Sequence, residues 1–250
     1  MKRFLLPLFA LLALLAAWHF YVALGHVPKF ILPPPMGVYD ALTGNFSTLM
    51  LAAGATLKVT LVALCAAVLS GVGLALAFSL SRTVEMTIYP FAVILQVTPI
   101  VSIAPLVLIW VGIDHVERAL VIIAWLAAFF PILANMSAGL RAVDPNLNDL
   151  FSLYGATRWQ RFWRLLWPTA MPYLLASLKV SGGFALIGAV VAEFVAGSGG
   201  ATGLAWRILE AGNRLQTEKM FAGLLILSLM GVIIFYSFAT LEGWLLRYRR

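Results

Sequence analysis

Side chains able to do chemistry are sparse in this chain, and most stand alone. Glu193 is a single acid inside a long apolar stretch, Ser181 has no obvious base beside it, and Cys65 is the only cysteine of the 250 residues. A lone thiol excludes a disulfide framework, and its setting in an apolar run predicts a small core residue. His19, His26 and His115 are too scattered to form a ligand set, so no metal site is expected. There is no H-E-x-x-H run for a metalloprotease and no G-x-x-x-x-G-K-[ST] loop to cradle nucleotide phosphates. An intramembrane enzyme would need a convergent catalytic set, and an ion-coupled secondary transporter would need acids or histidines within its spans. Both stand as alternatives.

Polar groups that could instead line a path cluster around a broken helix. Thr98-Pro99 and Pro105 fall well inside one apolar stretch, and each proline removes a helical hydrogen bond. In a membrane, irregular backbone is tolerated only where protein or a cavity covers it. Gln96, Thr98 and Ser102 can therefore either repair freed backbone groups or meet a passing solute. With Asn135 and Ser181 they form a set suited to a small polar or heterocyclic molecule. Glu193 and Pro99 complete the candidate pathway residues. Glu193 lies 21 residues beyond Pro172, roughly 32 Å along an ideal helix, which sets it near one membrane interface rather than at the centre. There its charge is far less costly, and a structural hydrogen bond competes with a substrate contact. Gly182, Gly183 and Gly188 in the same stretch predict close helix packing.

Between Asp144 and Pro168 the pattern changes to two short amphipathic helices hinged on a glycine. Asp144-Pro145 is a helix start, since the carboxylate can cap free N–H groups and proline fits the first turn. Leu147, Leu150, Phe151 and Tyr154 then share one face, and Gly155 stands where a left-handed residue would end the helix. Thr157 and Gln160 make a capping box for the second helix. Its apolar face is Trp159, Phe162, Trp163 and Leu166, its basic face is Arg158, Arg161 and Arg164, and Pro168 is expected to stop it. Such a basic elbow could also lie on the membrane surface, with arginines among phosphates and tryptophans at the interface.

The elements positioning these residues follow from composition. The chain is 62% hydrophobic and 11% charged, with a mean hydropathy of +0.98, so lipid must be its solvent. Six stretches can span roughly 30 Å of hydrocarbon: about 4–24, 57–80, 88–111, 119–140, 171–196 and 220–241. The first is kept as a span rather than a cleaved leader because its apolar run is longer than a usual signal core. With both termini inside, ten of the 17 Lys and Arg residues fall on the cytoplasmic side, including Arg158, Arg161 and Arg164. Lys58 and Lys179 are expected to snorkel from span ends. The net charge of +7 reflects this topology and calls for no nucleic acid. The expectation is an all-α, six-helix membrane protein forming one transmembrane domain over 1–250, with a cytoplasmic segment at 144–168.

The chain resembles the permease subunits of bacterial ATP-binding-cassette importers, in the branch serving sulfonates, taurine, nitrate and thiamine precursors. The family's EAA loop has E-A-A, three residues, G, nine residues, then I-x-L-P. Asp149-Leu150-Phe151, Gly155 and Leu165-Leu166-Trp167-Pro168 keep that spacing while changing both alanines and the last leucine. Leu32-Pro33-Pro34-Pro35, Ala104-Pro105-Leu106, Phe129-Phe130-Pro131-Ile132 and Val191-Ala192-Glu193 are similar to further segments of the branch. The resemblance implies a type I importer permease in the bacterial inner membrane, paired with a second copy, two ATPase subunits and a periplasmic or lipid-anchored solute-binding protein. ATP and Mg would be used by the partner ATPase, with no cofactor held by this chain. Asp149, Leu150, Phe151, Gly155, Ala156, Arg158, Phe162 and Pro168 would couple it to that ATPase. Leu95 to Val101 and Leu209 to Thr217 look most similar to permeases for pyrimidine thiamine precursors or riboflavin-like compounds.

Overall fold

The computed structural model describes residues 2–197 and 202–247, and every regular element among them is helical. In order these are α1 (Lys2–Leu24), α2 (Pro35–Gly44), α3 (Phe46–Leu80), α4 (Arg82–Val97), α5 (Ile100–Val111), α6 (Val116–Arg141), α7 (Pro145–Leu153), α8 (Arg158–Arg161), α9 (Trp167–Ala196), α10 (Leu204–Asn213) and α11 (Thr217–Leu245). A five-residue π-helical turn, Phe162–Leu166, joins α8 to α9. Among the described residues, α3, α6, the continuous run Arg158–Ala196 and α11 are each long and apolar enough to cross a membrane. α4 and α5 form a bent pair that can make a fifth crossing, and α1 contributes a shorter apolar helix, Phe9–Leu24.

α3 begins at Phe46, well before its apolar stretch. Its 35 residues extend about 52 Å, more than hydrocarbon alone would demand. The residues from Phe46 to Ala55 belong to a first compact unit, Met1–Ala55 with Thr202–Leu229. There Val38, Leu49, Ala52, Leu204, Ile208 and Ala222 are buried together, and the Thr217 hydroxyl donates to the Lys29 carbonyl at 2.7 Å. On α10, the hydrogen bond from Arg207 holds the Glu210 carboxyl below its ordinary range, with Arg214 adding attraction.

The second unit comprises Thr56–Ala201 and Met230–Arg250. Its centre is the α6–α9 pair, where both helices are lined with buried Ala, Gly and Leu. A Cβ on Gly188 would lie 2.8 Å from the Ala124 Cα, and one on Gly139 would lie 2.9 Å from the Ala170 Cα. Small residues let the two backbones touch, the usual basis of helix association where lipid supplies no hydrophobic drive. Gly182 is similarly tight against Ile234, whereas Gly183 faces open space.

Several charges differ from the sequence-based expectation. Lys179 does not simply snorkel; its Nζ lies 2.5 Å from Glu242 of α11, with both side chains about three-quarters buried. Lys58 pairs with Glu117. Cys65 is exposed rather than part of the core, because an apolar stretch reads the same whether it faces protein or lipid.

Candidate functional site

The elbow is built by local capping. The Asp144 carboxylate accepts from the Asn146 N–H at 2.8 Å, with Pro145 in the first turn. Gly155 has φ +64°. The Ala156 N–H donates to Phe151 O and the Gly155 N–H to Ser152 O, the paired bonds that close a helix through a left-handed residue. Thr157 and Gln160 then form a reciprocal capping box. No residue of α7 is buried: Leu150 is 44% exposed, and Tyr154 at its C-terminal cap is 83% exposed. Leu150, Phe151, Tyr154, Ala156, Gln160 and Arg164 line a groove of about 330 Å³.

Pro168 does not stop the second helix. The chain passes through the π turn and continues as α9, because proline in an opening turn gives up an N–H that the wider turn need not use. The same turn changes the angular register. Arg158 and Arg161 line a groove with the end of α3, Arg161 also reaches Ser152 of α7, and Arg164 lines the groove with α7. Leu165 is the buried leucine. Trp159, Phe162, Trp163 and Trp167 form a chain of rings with centroids 5.2–6.2 Å apart.

The broken span is present, with α4 and α5 meeting at an angle of 104°. The Thr98 hydroxyl donates to Ile94 O at 2.6 Å, a carbonyl that also accepts from the Thr98 N–H, so it reinforces the last turn of α4 rather than satisfying Leu95 O, the acceptor that Pro99 frees. Gln96, Pro99 and Ser102 are exposed. Asn135 is half-buried, and its amide donates to Pro131 O at 2.8 Å. Ser181 is fully buried, with no hydrogen-bond partner for its hydroxyl among the described residues. It lies 12 residues before Glu193 on α9, about 18 Å along the axis. The seven candidate pathway residues therefore do not converge on one point. Gln96, Thr98, Pro99 and Ser102 share the break, while Asn135, Ser181 and Glu193 sit within the α6–α9 pair.

Glu193 is 1% exposed and accepts a 2.7 Å hydrogen bond from the Thr56 hydroxyl of α3. Thr60 donates in turn to Thr56 O. Thr56 was missed as a partner from sequence. The available signal was a pair of threonines four residues apart in an apolar stretch, and the structure buries both. A second omission is Glu85 at the start of α4, which accepts from Arg82 and pairs with Arg141 of α6.

Residues 67–247 match the family described as the binding-protein-dependent transport system inner membrane component. The chain belongs to that family. It is a multi-pass membrane permease of an ATP-binding-cassette importer of small solutes, from a family in which an EAA loop is typical. It is not itself an enzyme, since ATP hydrolysis falls to separate ATPase subunits, and the family works with such ATPases and binding proteins. The chain is 29% identical to the formylaminopyrimidine transport permease protein ThiX of Halalkalibacterium halodurans, covering 98% of this chain and 96% of that one. It is also 29% identical to the taurine transport system permease protein TauC of Escherichia coli, covering 93% and 86%. A crystal structure of an amino acid ABC transporter with histidines has the same fold, with a TM-score of 0.64, 19% identity, and coverage of 83% of this chain and 96% of that chain.

Proposed function

We propose that this permease couples to its ATPase through the exposed face of the elbow and passes a small heterocyclic solute along the α4–α5 break. One observation carries the coupling reading. A doubly capped, rigid helix pair presents Leu150, Phe151 and Tyr154 unburied and runs on through Phe162 and Pro168 into the membrane-crossing α9. A partner filling the groove beside Ala156 would push directly on that span, with Asp149, Gly155 and Arg158 holding the geometry. The positive-inside balance favours cytoplasmic placement of the elbow and of both termini, in a bacterial inner membrane. Two copies of the chain pair around the path, each engaging one of two ATPases, and a binding protein delivers the solute from the other side. ATP and Mg act in the ATPase, and this chain binds no cofactor.

For the solute, Gln96, Thr98 and Ser102 offer neutral donors and acceptors and no fixed positive charge. This favours a neutral heterocycle, such as a pyrimidine precursor or a flavin-like compound, over sulfonate, taurine or nitrate. Leu150→Glu should abolish co-purification with the ATPase while leaving membrane insertion intact; unchanged co-purification overturns the coupling reading. Thermal-shift screening of the cognate binding protein against pyrimidines, flavins, alkyl sulfonates and nitrate tests the solute class, and stabilisation by the anions alone overturns the heterocycle.

A further inference from the structure

The second groove of the elbow has a different chemistry. It measures about 490 Å³ and lies between Leu76, Ser79 and Leu80 at the end of α3 and Arg158, Trp159 and Arg161 of the elbow. Arg82, Arg141, Arg207 and Arg214 each meet a glutamate. Neither Arg158 nor Arg161 meets a carboxylate among the described residues. Arg161 donates through Nη2 to the Ser152 hydroxyl at 2.8 Å, and its Nε is buried with no partner among the described residues. Trp159 is 69% exposed at the rim, and Leu80 is 78% exposed at the other wall.

The apolar wall does not stop at the groove. Val62, Leu69, Gly73 and Leu80 are all exposed and follow one another at intervals of seven, four and seven residues. They form one stripe running up α3 from the arginines into the span. An occupant must therefore carry an anion at one end and a long apolar chain at the other, with a boundary between them where a tryptophan can sit.

We propose that this groove binds an anionic phospholipid, its phosphate against Arg158 and Arg161 and an acyl chain along the α3 stripe. The site is a lipid contact separate from the Leu150–Tyr154 face. Only the choice of the cytoplasmic leaflet rests on the topology in the proposed function. A water-filled ATPase cleft is a poorer match for an apolar stripe that continues along a membrane-crossing helix. Phosphatidylglycerol is preferred over phosphatidylcholine because the choline cation cancels the phosphate charge that the arginines attract.

The full chain is reconstituted in vesicles of phosphatidylcholine containing a minority of phosphatidylglycerol, with one lipid or the other brominated. Tryptophan fluorescence is recorded for the wild-type chain and for Trp159→Phe, so that the difference isolates Trp159. Brominated phosphatidylglycerol should quench Trp159 well beyond its share of the lipid. Arg161→Gln should lower that preference by about fivefold, the attraction expected for one arginine at a membrane surface. Arg161→Lys, which keeps the charge, should largely retain it and controls for damage to the elbow. Quenching by the two lipids in proportion to their amounts overturns the proposal, as does a preference that Arg161→Gln leaves unchanged. If the purified ATPase abolishes lipid quenching at Trp159, the groove belongs to the ATPase and the proposal also fails. ATPase co-purification of Leu150→Glu reports the coupling surface alone, so the two readings can fail separately.

Discussion

The α6–α9 pair and the α4–α5 pair lie in the same unit and solve opposite problems. α6 and α9 touch backbone to backbone, with Gly188 against Ala124 and Gly139 against Ala170. α4 and α5 bend through 104° and leave Gln96, Pro99 and Ser102 exposed. Both pairs contain proline: Pro131 in α6 and Pro172 in α9, against Pro90 in α4 and Pro105 in α5. Proline alone therefore does not break a span. The break comes where Thr98 leaves helical geometry, with ψ 126°, directly before Pro99, in keeping with the bias against helix at a residue preceding proline. Elsewhere the helices run on through their prolines where neighbouring helices enclose them, as in α6 and α9.

Breaking the close pair should have the largest effect. In Gly188→Val the added Cβ meets the Ala124 Cα, which belongs to backbone and cannot rotate away. Overpacking of this kind costs typically about 1–3 kcal/mol and sometimes more. Thermal unfolding in detergent should show a clear loss, whereas Gly183→Ala, facing open space on the same helix, should show none. Equal behaviour of the two would refute the close-contact assignment. Next in size is Glu193→Ala, which removes the buried acceptor of Thr56 and should cost about 1–3 kcal/mol. Thr56→Val should produce much of the same loss, and a double mutant should lose less than the sum of the two.

Effects in the broken pair should be smaller on stability and larger on transport. Thr98→Val deletes the hydroxyl bond to Ile94 O and should cost about 0.5–1.5 kcal/mol in the same unfolding measurement. Ser102→Trp adds bulk on an exposed face and should leave unfolding and ATPase binding unaltered while blocking uptake. Wild-type uptake in Ser102→Trp would remove the break from the pathway.

Legibility followed sequence distance. Asp144, Gly155, Thr157 and Gln160 act on backbone groups two to five residues away, so their roles can be read from spacing, and each cap forms. The Thr98-Pro99 break is equally local. Glu193 and Thr56 are separated by 137 positions and Lys179 and Glu242 by 63, and no periodicity connects such pairs. Cys65 was misjudged for a related reason: hydropathy distinguishes apolar from polar surface, but not a protein contact from a lipid contact. Pro168 was misjudged because a rule for regular helices met a π turn, whose extra residue the neighbouring sequence does not announce.

By itself the sequence determined the solvent, the all-helical class, the elbow with its caps and the place where a span breaks. These depend on composition and on hydrogen bonds within one or two turns. Tertiary structure alone decided that α9 runs on from the elbow, which charges pair inside the span region, and which apolar faces close on protein. Those outcomes depend on the shapes that meet when distant helices pack, where a gap of one methyl group separates contact from clash.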